Sequence, residues 1–586
     1  SDVCSSDLFL SPTTEVYPSV VGDRNAWLGG DGDAWERGPY WIDGLLPLGY
    51  ILGDDVLISK ANRWVEAILS SGKENGFFGP SVDRPYERGM QRDNAQDWWP
   101  RMVSLKILKQ HYMATGDERV ISFLTDYFRY QLETLPSTPL GHWTFWGEQR
   151  GGDNLEIVYW LYNITGDAFL LDLGEIIHAQ TLDWTGIFQE GTQISRPWDL
   201  HCVNLGQGFK EPVVYWQKSG DSRNLDAPKK ALSTIRNTTG FPTGLWAGDE
   251  MLEFGNPNRG SEFCTAVEMM FSLEEMLRIS ADPFYADHLE RVAFNALPTQ
   301  ATDDFTARQY YQQVNQIECS LDWRNFNTPH ENNDQVFGTL NGYACCLTNM
   351  HQGWPKLVQN LWYSTPDGGL AALVYAPSRV KAKVADGIDA VLVEDTFYPF
   401  DGTVSIKVQY EDRKVKEAWF PLTVRIPGWC NGASILLNGE PMDIKPFAGT
   451  TQTIRRKWKS GDTLTLVFPQ EVSITWWYDR SAVVERGPLV YALKMNETWT
   501  KKEFSPEESE EYGPSYWEVT SDSPWNFALS ERRLSGDSFK VESRPWDGKY
   551  PWNTDNAPIV IRTEAFTLPF WTRARGSASD INYPTY

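Results

Sequence analysis

A short turn phrase recurs five times in the first half of the chain. It reads GDD at Gly53, TGDERV at Thr115, TGDAFL at Thr165, SGDSRN at Ser219 and SADPFY at Ser280, which sets Asp54, Asp117, Asp167, Asp221 and Asp282 at intervals of 63, 50, 54 and 61 residues. Each interval is the length of two helices with their loops. Each phrase also closes one amphipathic run and opens another, as in MVSLKILKQHYMA, then TGD, then ERVISFLTDYFRYQLETL. The glycine suits the left-handed position after a helix, and the Asp, Ser or Thr can cap the helix that follows. The pattern predicts an array of about six helical hairpins. Closed on itself, such an array is an (α/α)6 toroid with a mouth lined by the loops between helices; an open solenoid is the alternative. Long Trp- and Gly-rich loops at 33–44, 75–100 and 141–154 favour a ring with a working mouth.

The character changes after about residue 364. LAALVYAP, TVSIKVQY, LTVRIP, ASILLNG and TLTLVFP alternate β-branched residues with turn residues, and LNGEP and KSGDT read as hairpin turns. The expected organisation is an N-terminal extension without a role at 1–20, a toroid at 21–364, a jelly-roll-like β-sandwich at 365–480, and a second β-rich region at 481–586 that completes or adds a sandwich. Within that last region the acidic run at 496–520, with Glu507, Glu508, Glu510 and Glu511, reads as a solvated loop. The Pro- and Trp-rich tail at 540–586 gives no assignable pattern.

Charge narrows the partners. With 53 Lys+Arg against 78 Asp+Glu, the formal charge is -25, which repels nucleic acid and anionic membrane surfaces. Neutral ligands remain, and 27 Trp, 25 Tyr and 28 Phe suit both large cores and the apolar faces of sugars. No run approaches the roughly 18 apolar residues of a membrane span, and no signal-peptide core is visible. The expectation is a soluble protein whose compartment and oligomeric state, monomer or homodimer, stay open. The sequons at Asn163, Asn237 and Asn496 are too few to show secretion.

Seven widely spaced cysteines, an odd number in a large chain, argue against a disulfide scaffold. Cys345 and Cys346 are adjacent, a pair that reads either as two buried thiols or as metal-binding or redox sulfur. In GSEFCTAVEMMFSLEEML (260–277), Phe263, Val267, Met270, Phe271 and Leu277 trace a helical apolar face, with Glu262 and Cys264 at its start. Side chains two apart diverge by about 200° on a helix and point the same way in an extended segment. Glu262 and Cys264 can therefore share a ligand only if the helix begins at or after Cys264, with Ser261 or Thr265 marking the boundary. Eighty-one residues after Cys264 comes NGYACCLTNMHQGWPKLVQNLWY, in which Pro355 fits a first helical turn and leaves Cys345 and Cys346 in the preceding loop. Three thiolates and a carboxylate make a tetrahedral zinc set of net charge -2, with sulfur ionised by the metal and nucleophilic. A structural zinc, or four ordinary core residues, is the competing reading. Just upstream, GLWAGDEMLEFGNPNRG (244–260) supplies Asp249, Glu250 and Glu253. Each is either a solvated loop acid or the proton donor that glycoside hydrolysis needs beside a nucleophile.

WERGPYWIDGLLPLGYIL, DWWPRMVSLKILKQHY, RGGDNLEIVYWLYNITGD, the E-x-C and CC-x-x-N elements, VRIPGWC and ERGPLVYAL together resemble the glycoside hydrolase family 127/146 group, the β-L-arabinofuranosidase-like proteins. The resemblance implies an (α/α)6 catalytic domain followed by β-sandwiches, and zinc held by Glu262, Cys264, Cys345 and Cys346. It implies Cys345 as the nucleophile, retention of configuration through a glycosyl thioether, and Glu250 as the acid/base, with Asp249 and Glu253 as competitors. It also implies histidines in the sugar pocket, where His142 and His201 are the candidates. Trp35, Tyr40 and Trp41 could shape that pocket or pack in the core. Cys202, beside His201, is not expected to pair with it, since adjacent side chains seldom face each other.

The expectation is thus a zinc-dependent retaining exo-glycosidase that releases a terminal sugar, β-L-arabinofuranose or a related unusual sugar, from plant-type glycans. A polysaccharide lyase on the same scaffold and a catalytically silent glycan-binding protein are the alternatives.

Overall fold

The computed structural model describes residues 17–581. Most of the expected extension at 1–20 lies outside them, as does Cys4. Helical pairs follow one another: α1 (Arg37–Leu52) with α2 (Asp55–Ser70), α3 (Trp98–Thr115) with α4 (Arg119–Thr134), and α5 (Gly151–Thr165) with α6 (Phe169–Gln180). Then α7 (Cys202–Gly208), continued by α8 (Glu211–Ser219), pairs with α9 (Ser222–Asn237), and α10 (Phe263–Ser280) pairs with α11 (Pro283–Asn295). The last two are α12 (Cys345–Asn349) and α13 (Gly353–Gln359). The inner members pack in sequence, α1 on α3, α5, α8, α10 and α13, and both α12 and α13 return to α1. The ring is closed, and it is the toroid rather than the solenoid.

Sequence separates the two rings of helices. Inner α1 is buried continuously from Arg37 to Gly49, whereas outer α2 buries only Leu57, Ala61, Trp64, Val65 and Ile68, one stripe at helical spacing. The turn phrases do the work their composition predicts. Gly53, Gly116, Gly166 and Gly220 adopt the left-handed conformation at helix ends, and Ala281 takes that place in the fifth phrase. The side chains of Asp54, Asp117, Asp221 and Asp282 accept backbone N–H bonds from the first turn of the next helix. At Asp167 the backbone closes the turn instead, with Leu170 N–H on the Asp167 carbonyl.

The toroid's interior carries a charge-balanced ring with a residue from each inner helix, or, for Lys210, from the junction of α7 and α8: Asp43, Lys106, Asp153, Lys210, Glu268 and Lys356, all buried. Lys106 stands 3.4 Å from Asp43 and 3.2 Å from Asp153, Lys210 is 2.9 Å from Asp153, and Lys356 is 2.6 Å from Asp43. The three ammonium groups lie 4.3–5.3 Å from the centre of the Phe271 ring. Three cations against three anions let charge be buried without a net excess.

Beyond Gln359 strands predominate. A four-stranded sheet, ordered Thr450–Lys459, Glu417–Ile426, Leu370–Ala372, Trp362–Ser364, packs against a six-stranded antiparallel sheet running from Glu440–Pro441 to Ser378–Val384. Val404, Ile406, Val408 and Tyr410 point inward at every second position to meet Phe420, Leu422, Val424 and Ile426. Arg425 anchors the sandwich to the toroid through Asp287 and Glu290 of α11, while its Nε donates to the Leu373 carbonyl within the β region.

The region after residue 471 forms small sheets of two or three strands. The acidic run at 496–520 differs from the expected solvated loop. It is a strand (Thr498–Glu503), a helix (Pro506–Tyr512) and a second strand (Ser515–Thr520) that pairs with Phe337–Gly338 from the stretch between α11 and α12. Glu507 and Glu508 lie in the first turn of that helix, where Ser505 and Glu508 form a capping box, and Glu511 near its end pairs with Arg88. Among the described residues no helix is long and apolar enough to cross a membrane.

Candidate active site

Two helix starts meet inside the ring. Glu262 is the extended N-cap residue of α10 (φ -70°, ψ 142°) and Cys264 lies in its first turn, so the helix begins one residue before the expected boundary. The extended conformation of Glu262 alone lets its carboxylate reach the same point as the Cys264 sulfur. Cys345 and Cys346 are not in a loop, as expected, but open the short helix α12. The Pro355 signal marks α13, and the turn that precedes it has no apolar repeat by which to be read.

The distances test whether a metal fits. Cys264 Sγ is 3.6 Å from Cys345 Sγ, which is 3.9 Å from Cys346 Sγ, while Glu262 Oε1 lies 3.5 Å and 3.4 Å from the sulfurs of Cys345 and Cys346. All four ligand atoms fall within 4.8 Å of one another. Ligands at the bond lengths of a tetrahedral zinc stand about 3.5–3.8 Å apart. The sulfurs are far beyond the ~2.05 Å of a disulfide. All four residues are buried. Burial pushes the Cys264 and Cys345 thiols and the Glu262 carboxyl well above their ordinary ranges, and Glu262 Oε2 has no hydrogen-bond partner. A cation is what such a donor set lacks. The residues fit zinc.

Glu250 faces this cluster. It has a left-handed backbone (φ 73°), a strained conformation for a residue with a side chain and one that turns it away from the Asp249 side of the strand. Its Oε2 accepts from His201 Nε2 at 2.7 Å, and its Oε1 accepts from the hydroxyls of Tyr310 (2.6 Å) and Tyr311 (3.1 Å). His201 Nδ1 accepts the Val203 N–H at 3.2 Å, so the proton of a neutral imidazole sits on Nε2 and is directed at Glu250. Burial alone would raise the Glu250 carboxyl, but His201, His330 and Tyr310 outweigh it and hold the group at about 2. These neighbours favour its carboxylate form.

Asp249 behaves oppositely. Burial pushes it up to about 6 despite the Asn327 N–H and Arg259 nearby. Arg259 Nη1 is 3.4 Å from Asp249, and Asn327 also bonds Glu253. Asp249 and Glu253 thus tie the 244–260 loop to 325–327.

Other candidates separate. His201 is at the cluster, 4.0 Å from Glu262, and meets the edge of Trp146 at 5.0 Å. His142 is exposed on its loop with its ring against Trp143, and among the described residues no contact brings it to the cluster. Trp41 is fully buried and packs on Trp64 between α1 and α2. Its neighbour Tyr40 is the one that turns inward, its hydroxyl 3.5 Å from Arg150 and Gln207. Successive helical side chains lie about 100° apart, so one of the two must leave the axis. Cys202 Sγ contacts the Ala247 carbonyl, not His201.

Several site residues escaped the sequence reading. His330 Nε2 is 3.5 Å from Glu250, and its Nδ1 is 2.6 Å from Asp334. Tyr310 and Tyr311 are held in place by backbone pairing: Phe263 N–H donates to the Tyr310 carbonyl, and Glu262 bridges Tyr311. Arg150, between the rings of Trp99 and Trp146, bonds Glu36 and Asn204. Tyr310, Tyr311 and His330 belong to the irregular stretch between α11 and α12, where no periodicity marks any position.

Residues 13–359, more than half of the chain, match the GH127 catalytic domain of the β-L-arabinofuranosidases, and residues 369–470 match the GH127 middle domain. A non-reducing end β-L-arabinofuranosidase of Bifidobacterium longum subsp. longum is 27% identical over 318 residues, which are 50% of this chain and 46% of that protein. The match therefore spans about half the length of the curated relative. A crystal structure of a GH127 β-L-arabinofuranosidase from Geobacillus stearothermophilus T6 superposes with a TM-score of 0.65 at 19% identity, covering 90% of this chain and 92% of that one. A GH127 β-arabinofuranosidase gives 0.62 at 18% identity, covering 90% and 88%. Both likenesses are of fold.

Proposed function

The chain belongs to the β-L-arabinofuranosidase GH127 family, and on that footing we propose that it is a retaining exo-glycoside hydrolase with a cysteine nucleophile, releasing terminal β-L-arabinofuranose or a related sugar from plant-type glycans. The observation that carries this reading is the buried quartet Glu262, Cys264, Cys345 and Cys346, at tetrahedral spacing beside Glu250. These four residues would hold zinc, which supplies the positive charge that keeps buried thiols ionised at neutral pH.

The chain's own groups do the rest. Cys345 sulfur attacks the anomeric carbon, a carbon–sulfur bond forms, and the bond to the leaving oxygen breaks as that oxygen takes a proton from the acid. Glu250 is the acid/base: its carboxylate takes up the proton it delivers from His330, 3.5 Å away. Burial would lower the His330 imidazole, but the Asp334 and Glu250 carboxylates hold it above its ordinary range, while His201 orients Glu250 through its Nε2 bond. Glu250 then takes a proton from water, whose oxygen displaces the sulfur. Two inversions restore the starting configuration. Tyr310 and Tyr311 fix the carboxylate's orientation throughout.

Metal analysis of the purified protein should give one zinc per chain. A screen of aryl glycosides, followed by mass spectrometry of the protein during turnover, should find a sugar mass on the peptide containing Cys345. Full activity in Cys345→Ser would remove the proposed nucleophile. Sugar binding without turnover, unaffected by Cys345→Ala, would identify a silent glycan-binding protein instead.

A further inference from the structure

The quartet is assembled from two chain segments that no covalent link holds together, and a polar tie one helical turn deeper joins the same two segments. Glu268 lies four residues after Cys264 on α10, hence on the same side of that helix, one turn further from its start. Asn349 lies four residues after Cys345 and ends α12. Asn349 Nδ2 donates to Glu268 Oε1 at 3.0 Å, and Gln352 Nε2 donates to the same oxygen at 3.1 Å. Gln352 also bonds Asn349 Oδ1 and Lys356, and Lys356 reaches Asp43 of α1. All are buried, with Glu268, Asn349 and Gln352 at 0% exposure.

We propose that Glu268 is a positioning residue for the thiolate quartet: by gripping Asn349 and Gln352 it locks the segment bearing Cys345 and Cys346 against the helix bearing Glu262 and Cys264. The inference rests on the metal reading above and adds how the site keeps its spacing. α12 is a single turn, too short to hold its own geometry. Two donors on one carboxylate oxygen fix both its rotation and its distance from α10. Metal-ligand geometry is generally held by partners that do not touch the ion.

The test is zinc loss from the holoenzyme to excess chelator, followed by metal content over time. Asn349→Ala cuts the tie and leaves all four ligands. Asn154→Ala is the control, since it breaks a comparable buried amide pair with Gln131 (3.0 Å in both directions) between α4 and α5. Asn349→Ala should lose zinc at least tenfold faster than wild type, with Asn154→Ala like wild type even where its melting temperature falls as far. Glu268→Gln, which keeps an accepting oxygen, should stay within about threefold of wild type. Should Asn349→Ala not fold, Asn349→Ser removes the reach to Glu268 with a smaller cavity and is read the same way. Equal zinc loss from Asn349→Ala and Asn154→Ala would overturn the positioning role and leave the metal reading standing. A wild-type protein that carries no zinc would overturn both.

Discussion

Cys264 and Cys345, 81 positions apart in the chain, bring their sulfurs to 3.6 Å. No disulfide joins them, and the spacing is that of two ligands of one tetrahedral metal ion. Removing one sulfur should separate two functions. Cys264→Ser should cost zinc first and activity as a consequence, whereas Cys345→Ser should lower kcat by about 10³-fold or more even in molecules that still hold metal. Metal content measured alongside single-turnover rates distinguishes the two, and equal rates in Cys345→Ser and wild type would contradict the assigned nucleophile.

Glu250 gives a prediction that depends on the leaving group. Glu250→Gln keeps the bonds from Tyr310 and Tyr311 within reach but can neither deliver nor take up a proton. The loss of kcat should approach about 10²–10⁴-fold for sugar or alkyl leaving groups, and be much smaller for nitrophenyl glycosides, whose departing oxygen needs no acid. A uniform loss across leaving groups would assign Glu250 a binding role.

How much of this was legible follows from where periodicity exists. The turn phrases at Asp54, Asp117, Asp221 and Asp282 reveal the hairpins because capping chemistry is local. The strand 403–410 is legible because its alternation is the sheet's own. The sixth inner helix is broken into α12, a 3-10 turn at Met350–Gln352 and α13, so no repeat announces it. Tyr310 and Tyr311 reach Glu250 through long-range backbone pairing, and His330 is held there by its bond to Asp334, whose carbonyl accepts from both tyrosines' N–H groups; no local pattern encodes either. Tyr40 and Trp41 were equivalent in the sequence, and only helix phase, set by packing on Trp64, decides between them. The buried Lys106–Asp153–Lys210 connections were hidden for the same reason, since in sequence a lysine on an inner helix looks like one on an outer helix.

The anchor at Arg425 makes the toroid and sandwich interdependent. Its guanidinium is fully buried between Asp287 and Glu290. Arg425→Met fills the space but leaves those two acids without their cation. The expected cost is about 3–5 kcal/mol, seen as a lower melting temperature with the two parts unfolding separately in calorimetry. Replacing all three by apolar residues should recover much of the loss. A single unshifted transition in Arg425→Met would show that the apolar contact alone holds the parts together.

His351 predicts how acid weakens the fold. It is 4% exposed, beneath the close approach of the α1 backbone at Gly44, and burial lowers its imidazole to about 3 from an ordinary ~6.5. Above about pH 6.5 the ring is neutral whether the chain is folded or not, and it adds no pH dependence. As pH falls from there toward 3 the unfolded chain binds a proton that the folded chain refuses, so stability drops through this window, by on the order of 4 kcal/mol at its lower end. His351→Gln cannot take that proton. Its melting temperature should lie below wild type at pH 7.5, where only packing is changed, and the gap should close or reverse near pH 4.5. Melting curves of the two proteins that stay parallel from pH 7.5 to 4.5 would mean that His351 is protonated in the folded chain.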